Sequence, residues 1–274
     1  MKKKRLITLW LILSITIIML STGCKKDKEA KEQQPKNIKI ICEDTVLPMV
    51  SDLARDYNLN NDSVVTVESI DRESAFNKLK NSEADVLIGY VQPDNKEIVV
   101  EMLAFDGIGI IVNTNNKVSN VGNSDLKKIY TGNIVNWEKL KGESNAIVPV
   151  AFKNILNLVQ YEFNMKIMDT PVKEQMSSTT QYVGSVEEMK NFVAQNKNAI
   201  GFMPGQWYNK ESVFLKLSGI EITTSNLRNK LYALRFPIQM YYTKEKKDYL
   251  KDLFQYYKSD DGKKIIRKYC IEAF

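Results

Sequence analysis

The sequence predicts an α/β protein in which a largely parallel sheet is covered by helices. Between residues 38 and 89, apolar runs alternate with helical-period segments as β-α-β-α-β. The runs are short and continuously apolar, as strands buried on both faces are. With 274 residues, 43% hydrophobic and 26% charged, the chain can bury one large core or two medium ones.

Taken in order, Ile38 to Cys42 reads as a strand, and Val46, Val50, Leu53, Ala54 and Tyr57 recur at helical spacing with Pro48 early in the turn. Val64 to Val67 reads as a strand. Asp71 to Asn81 reads as a helix N-capped by Asp71, with Ala75, Phe76 and Leu79 on its inner face. Ala84 to Gly89 is a buried strand, and Asp106 to Asn113 a strand long enough to cross between two lobes. A helix from Asp125 to Tyr130 ends at Thr131-Gly132, with the glycine as a left-handed cap. Ile147 to Phe152 is strand-like, Ser185 to Glu188 is a capping box opening a helix, and Ala199 to Met203 is a strand. Leu231 to Tyr242 reads as extended, with Pro237 marking an edge or crossing position rather than a central one. Two apolar helical faces follow, Tyr249 to Tyr257 and Ile265 to Tyr269.

The N-terminus has a basic run, Met1 to Arg5, then an apolar stretch from Leu6 to Leu20 broken by Thr8, Ser14 and Thr16. This fits the h-region of a signal peptide, about 7 to 15 residues, better than a spanning helix of roughly 20. Small residues precede Cys24 and resemble a lipobox, so 1–23 is expected to be a lipoprotein signal peptide and Cys24 the acylated anchor; a signal-anchor helix with an incidental cysteine is the competing reading. Residues 24–37 then read as a solvated charged tether, because Lys25 to Lys36 holds no apolar side chain larger than alanine. Cys42 and Cys270 either pair or sit as buried free thiols, the second being preferred.

The net charge of +6 comes from the leader and tether. Nine of the 39 bases and three of the 33 acids precede residue 38, which leaves 30 of each in the body. A neutral body gives no support to nucleic-acid binding. The absence of histidine removes Ser-His-Asp and Cys-His nucleophiles, HExxH zinc sites and histidine general bases. No cofactor, no catalytic residue and no metal site is expected, and the adjacent acids Glu43 and Asp44 are by themselves a weak cation site.

Specific strings carry a resemblance. Ala104 to Asn113, Val118-Ser119-Asn120, Leu126 to Gly132 and Asn136 to Leu140 resemble the phosphate-binding proteins of ABC importers, with their crossing strand, "pVsN" turn and "iftGkitnWkel" helix end. Ala199 to Phe202, Tyr232 to Tyr242 and Ser259 to Ile266 are similar to that family's "aIGY", "YplsRPlY" and "SpeGqkiv" segments. The resemblance implies a two-lobed, periplasmic-binding-protein-like fold of type II, with mixed sheets covered by helices and a cleft between lobes. Lobe I is expected from residues 38–106 plus 229–274 and lobe II from 107–228. It further implies a monomeric, lipid-anchored solute-binding protein on the outer face of the bacterial cytoplasmic membrane. Its partners would be a small solute, phosphate by resemblance, and ABC permease subunits. The alternative is a surface sensing or interaction lipoprotein that keeps the clamp without solute capture.

The anion-binding turns of that family are altered here. Its hydroxyl-rich first turn is Cys42-Glu43-Asp44-Thr45, and its glycine-rich second turn is Ile70 to Ala75. Tyr90 and Val91 follow Gly89, and the place of the "R-x-x-GSGT" cradle is taken by Ala151 to Leu158. The cleft candidates are therefore Thr45, Arg72, Ser74, Tyr90, Phe152 and Lys153. Arg72 and Lys153 either rebuild an oxyanion site or serve as solvated charges; Tyr90 and Phe152 either stack on a ring-bearing ligand or belong to the core. Altered or lost phosphate affinity is expected, since carboxylates compete for the amides an anion would use.

Overall fold

A computed structural model describes residues 35–89, 96–155, 157–170, 176–207 and 212–273. The expected signal peptide, Cys24 and most of the tether lie outside the described residues, as does Tyr90. Residues Lys36–Phe274 form one unit.

Strand β1 (Asn37–Cys42) begins the body, and Lys36 is already tied to it. Its Nζ lies 2.9 Å from an Asp252 carboxylate oxygen and over the Tyr249 ring. A single 3-10 turn (Asp44–Val46) leads into α1 (Leu47–Asn60), with Pro48 in the first turn as the sequence predicts. Met49, Val50, Leu53, Ala54 and Tyr57 form its buried face, which is the helical stripe read from their spacing. Strand β2 (Val64–Ser69) and helix α2 (Arg72–Lys80) follow, and the Asp71 carboxylate accepts from the Ser74 amide at 3.0 Å, the expected N-cap. Strand β3 (Val86–Gly89) is buried throughout.

Strand β4 (Ile98–Asn113) is sixteen residues long and starts eight residues before the stretch that its apolar run marked. In the additional part positions 99 to 102 alternate half-buried with exposed, Val100 and Met102 facing solvent, so it lacks the continuous burial of the stretch from Ile108 on. A short strand, β5 (Asn120–Val121), precedes α3 (Asn123–Tyr130), which ends at Gly132 with φ +79°, the left-handed conformation that glycine adopts without steric cost. Then come β6 (Val148–Phe152), α4 (Leu158–Phe163, continued by a wider turn Asn164–Met168), β7 (Gln181–Val183), α5 (Val186–Gln195) and β8 (Ala199–Pro204). At α5 the Ser185 hydroxyl accepts from the Glu188 amide at 3.1 Å. The Glu188 carboxylate accepts from the Gly184 amide at 2.6 Å, one residue earlier than a standard capping box.

Two short strands, β9 (Ser212–Phe214) and β10 (Lys216–Leu217), and helix α6 (Thr224–Arg228) lead to β11 (Arg235–Thr243). The extended segment thus starts four residues later than the sequence suggests. The Asn226 carbonyl accepts from the Leu231 and Tyr232 amides and folds that stretch against the end of α6. Helices α7 (Lys251–Lys258) and α8 (Asp260–Tyr269) and strand β12 (Ile271–Glu272) complete the chain.

Ten of the described strands make a mixed sheet in the order β2-β1-β3-β11-β4-β8-β6-β7, with β9 and β12 also pairing on β4, and β5 and β10 pair as a separate two-stranded parallel sheet. Pairs β1–β2, β1–β3, β6–β7 and β6–β8 are parallel, and β11 is antiparallel to β3 and β4. β4 changes partner along its length. Residues Ile98 to Gly107 pair with β11, and Ile108 to Val112 pair with β8. Pro237 was expected away from the central strands, but it lies in β11, between β3 and β4; it is tolerated there because it faces Phe105 of β4 next to a bulge and pairing with β3 covers only Gln239 to Tyr241. Cys42 and Cys270 are buried free thiols, and burial pushes the Cys42 thiol up to about 12.

Candidate functional site

Strand β1 delivers its last residue, Cys42, into the core, and the three residues after it turn across the carboxyl ends of the parallel strands. Ligands of α/β sheets gather at that edge. Glu43 is 3% exposed, and its Oε2 accepts from the Leu158 amide at the start of α4 at 3.1 Å. Its side chain lies so close over Gly89 that a Cβ there would sit 2.8 Å from Glu43 Oε1. Asp44 accepts from Asn157 Nδ2 at 3.4 Å and from the backbone amide of Val186, the first residue of α5. Burial raises the Asp44 carboxyl above its ordinary value, and the Val186 and Thr45 amides partly offset that by stabilising the anion. Thr45 is fully buried, and its carbonyl accepts from Trp207 Nε1 at 3.0 Å, in the turn that follows β8.

Beside this turn is a cavity of about 230 Å³ lined by Glu43, Asp44, Ser69, Ile70, Asp71, Asn154, Asn157 and Gly184. Three carboxylates and no lysine or arginine are among these residues, so its described wall is acidic and amide-bearing. A larger cavity of about 600 Å³ lies between β9, β10, α6 and β12 and shares no residue with this wall. We place the candidate site at the smaller cavity, because the strand and helix ends converge there. No group of three or more His, Cys, Asp or Glu among the described residues is placed to hold a metal ion.

The residues singled out in the sequence fare differently. Thr45 is at the turn, but its hydroxyl is buried without a hydrogen-bond partner among the described residues, and it does not line the cavity. Arg72 is the first residue of α2, and Ser74 is half-buried in the same turn with its amide on Asp71. Lys153 is exposed just past β6, its amide donating to the Val183 carbonyl at 2.8 Å. Phe152 departs from a stacking role. It is 1% exposed and packs edge-to-face on Phe202, in a cluster with Phe163 and Tyr130, because β6 is buried continuously from Pro149 to Phe152. Asn154, Asn157, Ser69 and Gly184 were missed. Only Asn157 carried a local signal, as an Asn directly before the apolar Leu158-Val159; its side chain caps α4 by accepting from the Val159 and Gln160 amides.

A second polar cluster ties the crossing strand to β8. Asp106, 1% exposed, accepts from Gly107 N at 2.7 Å, Gln206 N at 3.3 Å, Gln206 Nε2 at 3.2 Å and the Gly205 amide. Burial lifts its carboxyl from 3.8 to about 6 against the pull of those donors. It lies next to the point where β4 passes from β11 to β8.

A family model described as "PBP superfamily domain" matches residues 27–261. The "Phosphate-binding protein PstS" of Bacillus subtilis (strain 168) is 24% identical, the match covering 97% of this chain and 92% of that protein. Among solved structures, a putative phosphate ABC transporter substrate-binding protein with bound phosphate from Clostridium perfringens superposes with a TM-score of 0.80 at 22% identity, covering 87% of this chain and 100% of that one. An ABC-type phosphate transport receptor from Vibrio cholerae gives 0.71 at 25% identity, covering 86% and 100%. The resemblance read from the sequence holds, and so does the fold expectation of a mixed α/β sheet with helices in a two-lobed binding-protein architecture.

Proposed function

The chain belongs to the PBP superfamily, and from that premise we propose that it is the extracytoplasmic solute-binding component of an ABC importer. It is anchored through an acylated Cys24 and is no longer a tight phosphate receptor. Lobe I comprises residues 38–106 plus 229–274 and lobe II residues 107–228, with the solute taken up between them and passed to a membrane permease. Full-length similarity to phosphate-binding relatives supports the transport role.

One observation carries the departure from phosphate: the amides of Leu158 and Val186 already serve the carboxylates of Glu43 and Asp44. A phosphate dianion entering there meets two negative charges and must displace them from their donors. Losing two or three charge-assisted hydrogen bonds, each worth roughly 1.5 to 3 kcal/mol, moves a micromolar site to about 0.1 mM or weaker. Phosphate binding is therefore expected to be no tighter than about 0.1 mM. Titration calorimetry with inorganic phosphate on phosphate-free protein tests this. A micromolar isotherm weakened by Thr45→Val or Lys153→Ala would show that the chain has rebuilt a phosphate pocket.

A further inference from the structure

We propose that the turn 43–45 is a built-in latch, three consecutive residues of lobe I bonded to three separate points of lobe II, so that the chain's own groups hold the cleft closed. The inference rests on the binding-protein reading above and concerns the same cleft.

The geometry is specific. Glu43 reaches the Leu158 amide at 3.1 Å, Asp44 reaches Asn157 Nδ2 at 3.4 Å and the Val186 amide, and the Thr45 carbonyl takes the Trp207 indole N–H at 3.0 Å. These contacts span sequence separations of 113 to 162 residues, so none is a local cap or turn bond. They land on the start of α4, the start of α5 and the turn after β8, three segments with no sequence in common. A single contact would leave one lobe free to swing about it. Contacts on three separate segments restrict that swing.

The sites of attachment also fit a latch rather than incidental packing. Two of the acceptors are carboxylates meeting backbone N–H groups, hydrogen bonds stronger than neutral ones and stronger again where water is largely excluded, as at Glu43 with 3% exposure. The Glu43 side chain reaches its donor only because Gly89, at the end of β3, has no Cβ in its path. The groups that bridge the lobes are thus supplied from within, whereas a clamp closed by its ligand draws them from the solute. The consequence is a shifted equilibrium. When the closed form is already the populated one, a solute gains little by selecting it and produces little further closure.

The test measures lobe separation without any added solute. Spin labels on Asn77→Cys and Asn191→Cys, exposed positions of α2 and α5, report the distance in the full chain carrying Cys24→Ser, the buried Cys42 and Cys270 remaining inaccessible. A single short distance population is expected for the parent chain. A longer population should appear in the double variant Glu43→Ala/Asp44→Ala, while Glu43→Gln, which keeps an acceptor for Leu158, should stay short. Gly89→Ala displaces the carboxylate without removing it and should also lengthen the distance. If the double variant does not fold, Gly89→Ala and Trp207→Phe decide the question in the same way. A parent chain that is already open, or folded latch variants whose distribution is unchanged, overturns the proposal. Neither result depends on the phosphate titration, so a failed latch and a failed transport reading are told apart.

Discussion

Asp106 makes a pH dependence that can be worked from the structure. Its carboxyl stands at about 6 in the folded chain against 3.8 for an unburied aspartate, with desolvation as the largest cause and the amides of Gly107, Gln206 and Gly205 opposing it. A carboxyl with a raised folded value binds its proton more tightly in the native state, so between those two values the native state holds more protons and stability falls as pH rises. The contribution is fully present below pH 3.8 and is lost as pH rises through about 6. Two pKa units at about 1.4 kcal/mol each set the scale at roughly 3 kcal/mol. The neighbouring Tyr232 and Cys270 feel the Asp106 charge, but both are raised further above their already high ordinary values and do not titrate in this window. Asp44 is shifted in the same direction and Glu68, Glu143 and Glu272 in the opposite one, so the whole-protein profile mixes several groups. The difference between wild type and Asp106→Asn isolates the one of interest, because any constant offset from the substitution cancels in its slope. Urea unfolding followed by circular dichroism from pH 4 to 7.5 should show wild type gaining on the variant as pH falls. A difference that is flat across that range refutes the argument and means that the donors hold the carboxylate ionised despite burial.

Two further outcomes follow from single positions. In Gly262→Ala the new Cβ would overlap the Tyr256 carbonyl oxygen and lie 2.9 Å from Tyr257 Cα; backbone cannot rotate away as a side chain would, so α7 and α8 must separate. The cost should be about 1 to 3 kcal/mol or more, read as a lowered urea midpoint with an unchanged slope. For Cys24→Ala, expression in the native host followed by fractionation should show loss of membrane retention, and a variant retained as fully as wild type would remove the lipoprotein reading.

Much of the fold was legible because the signals are local. The buried face of α1, the Asp71 and Ser185 caps, the Gly132 turn and the apolar strands each rest on residues within a few positions of one another, where periodicity and capping chemistry act. The early start of β4 was hidden because its first part faces solvent on one side and lacks the continuous apolar run that marked the rest. The residue types at 43 to 45 and 151 to 158, acidic in the first and without glycine in the second, were equally readable without coordinates.

Legible from the residues alone were therefore the class of the fold and the resemblance to a family. Where the side chains at 43 to 45 and 151 to 158 point came from long-range packing. Glu43 and Asp44 sit at the start of their own helix, and from sequence their carboxylates belong to its amides. In the folded chain they serve Leu158 and Val186 instead, and Phe152 turns into the core beside Phe202. Asp106 likewise finds its donors at Gly205 and Gln206, a hundred residues on. A hydrogen bond depends on distance in space, and the pairing of β4 first with β11 and then with β8 is what brings such remote groups within reach.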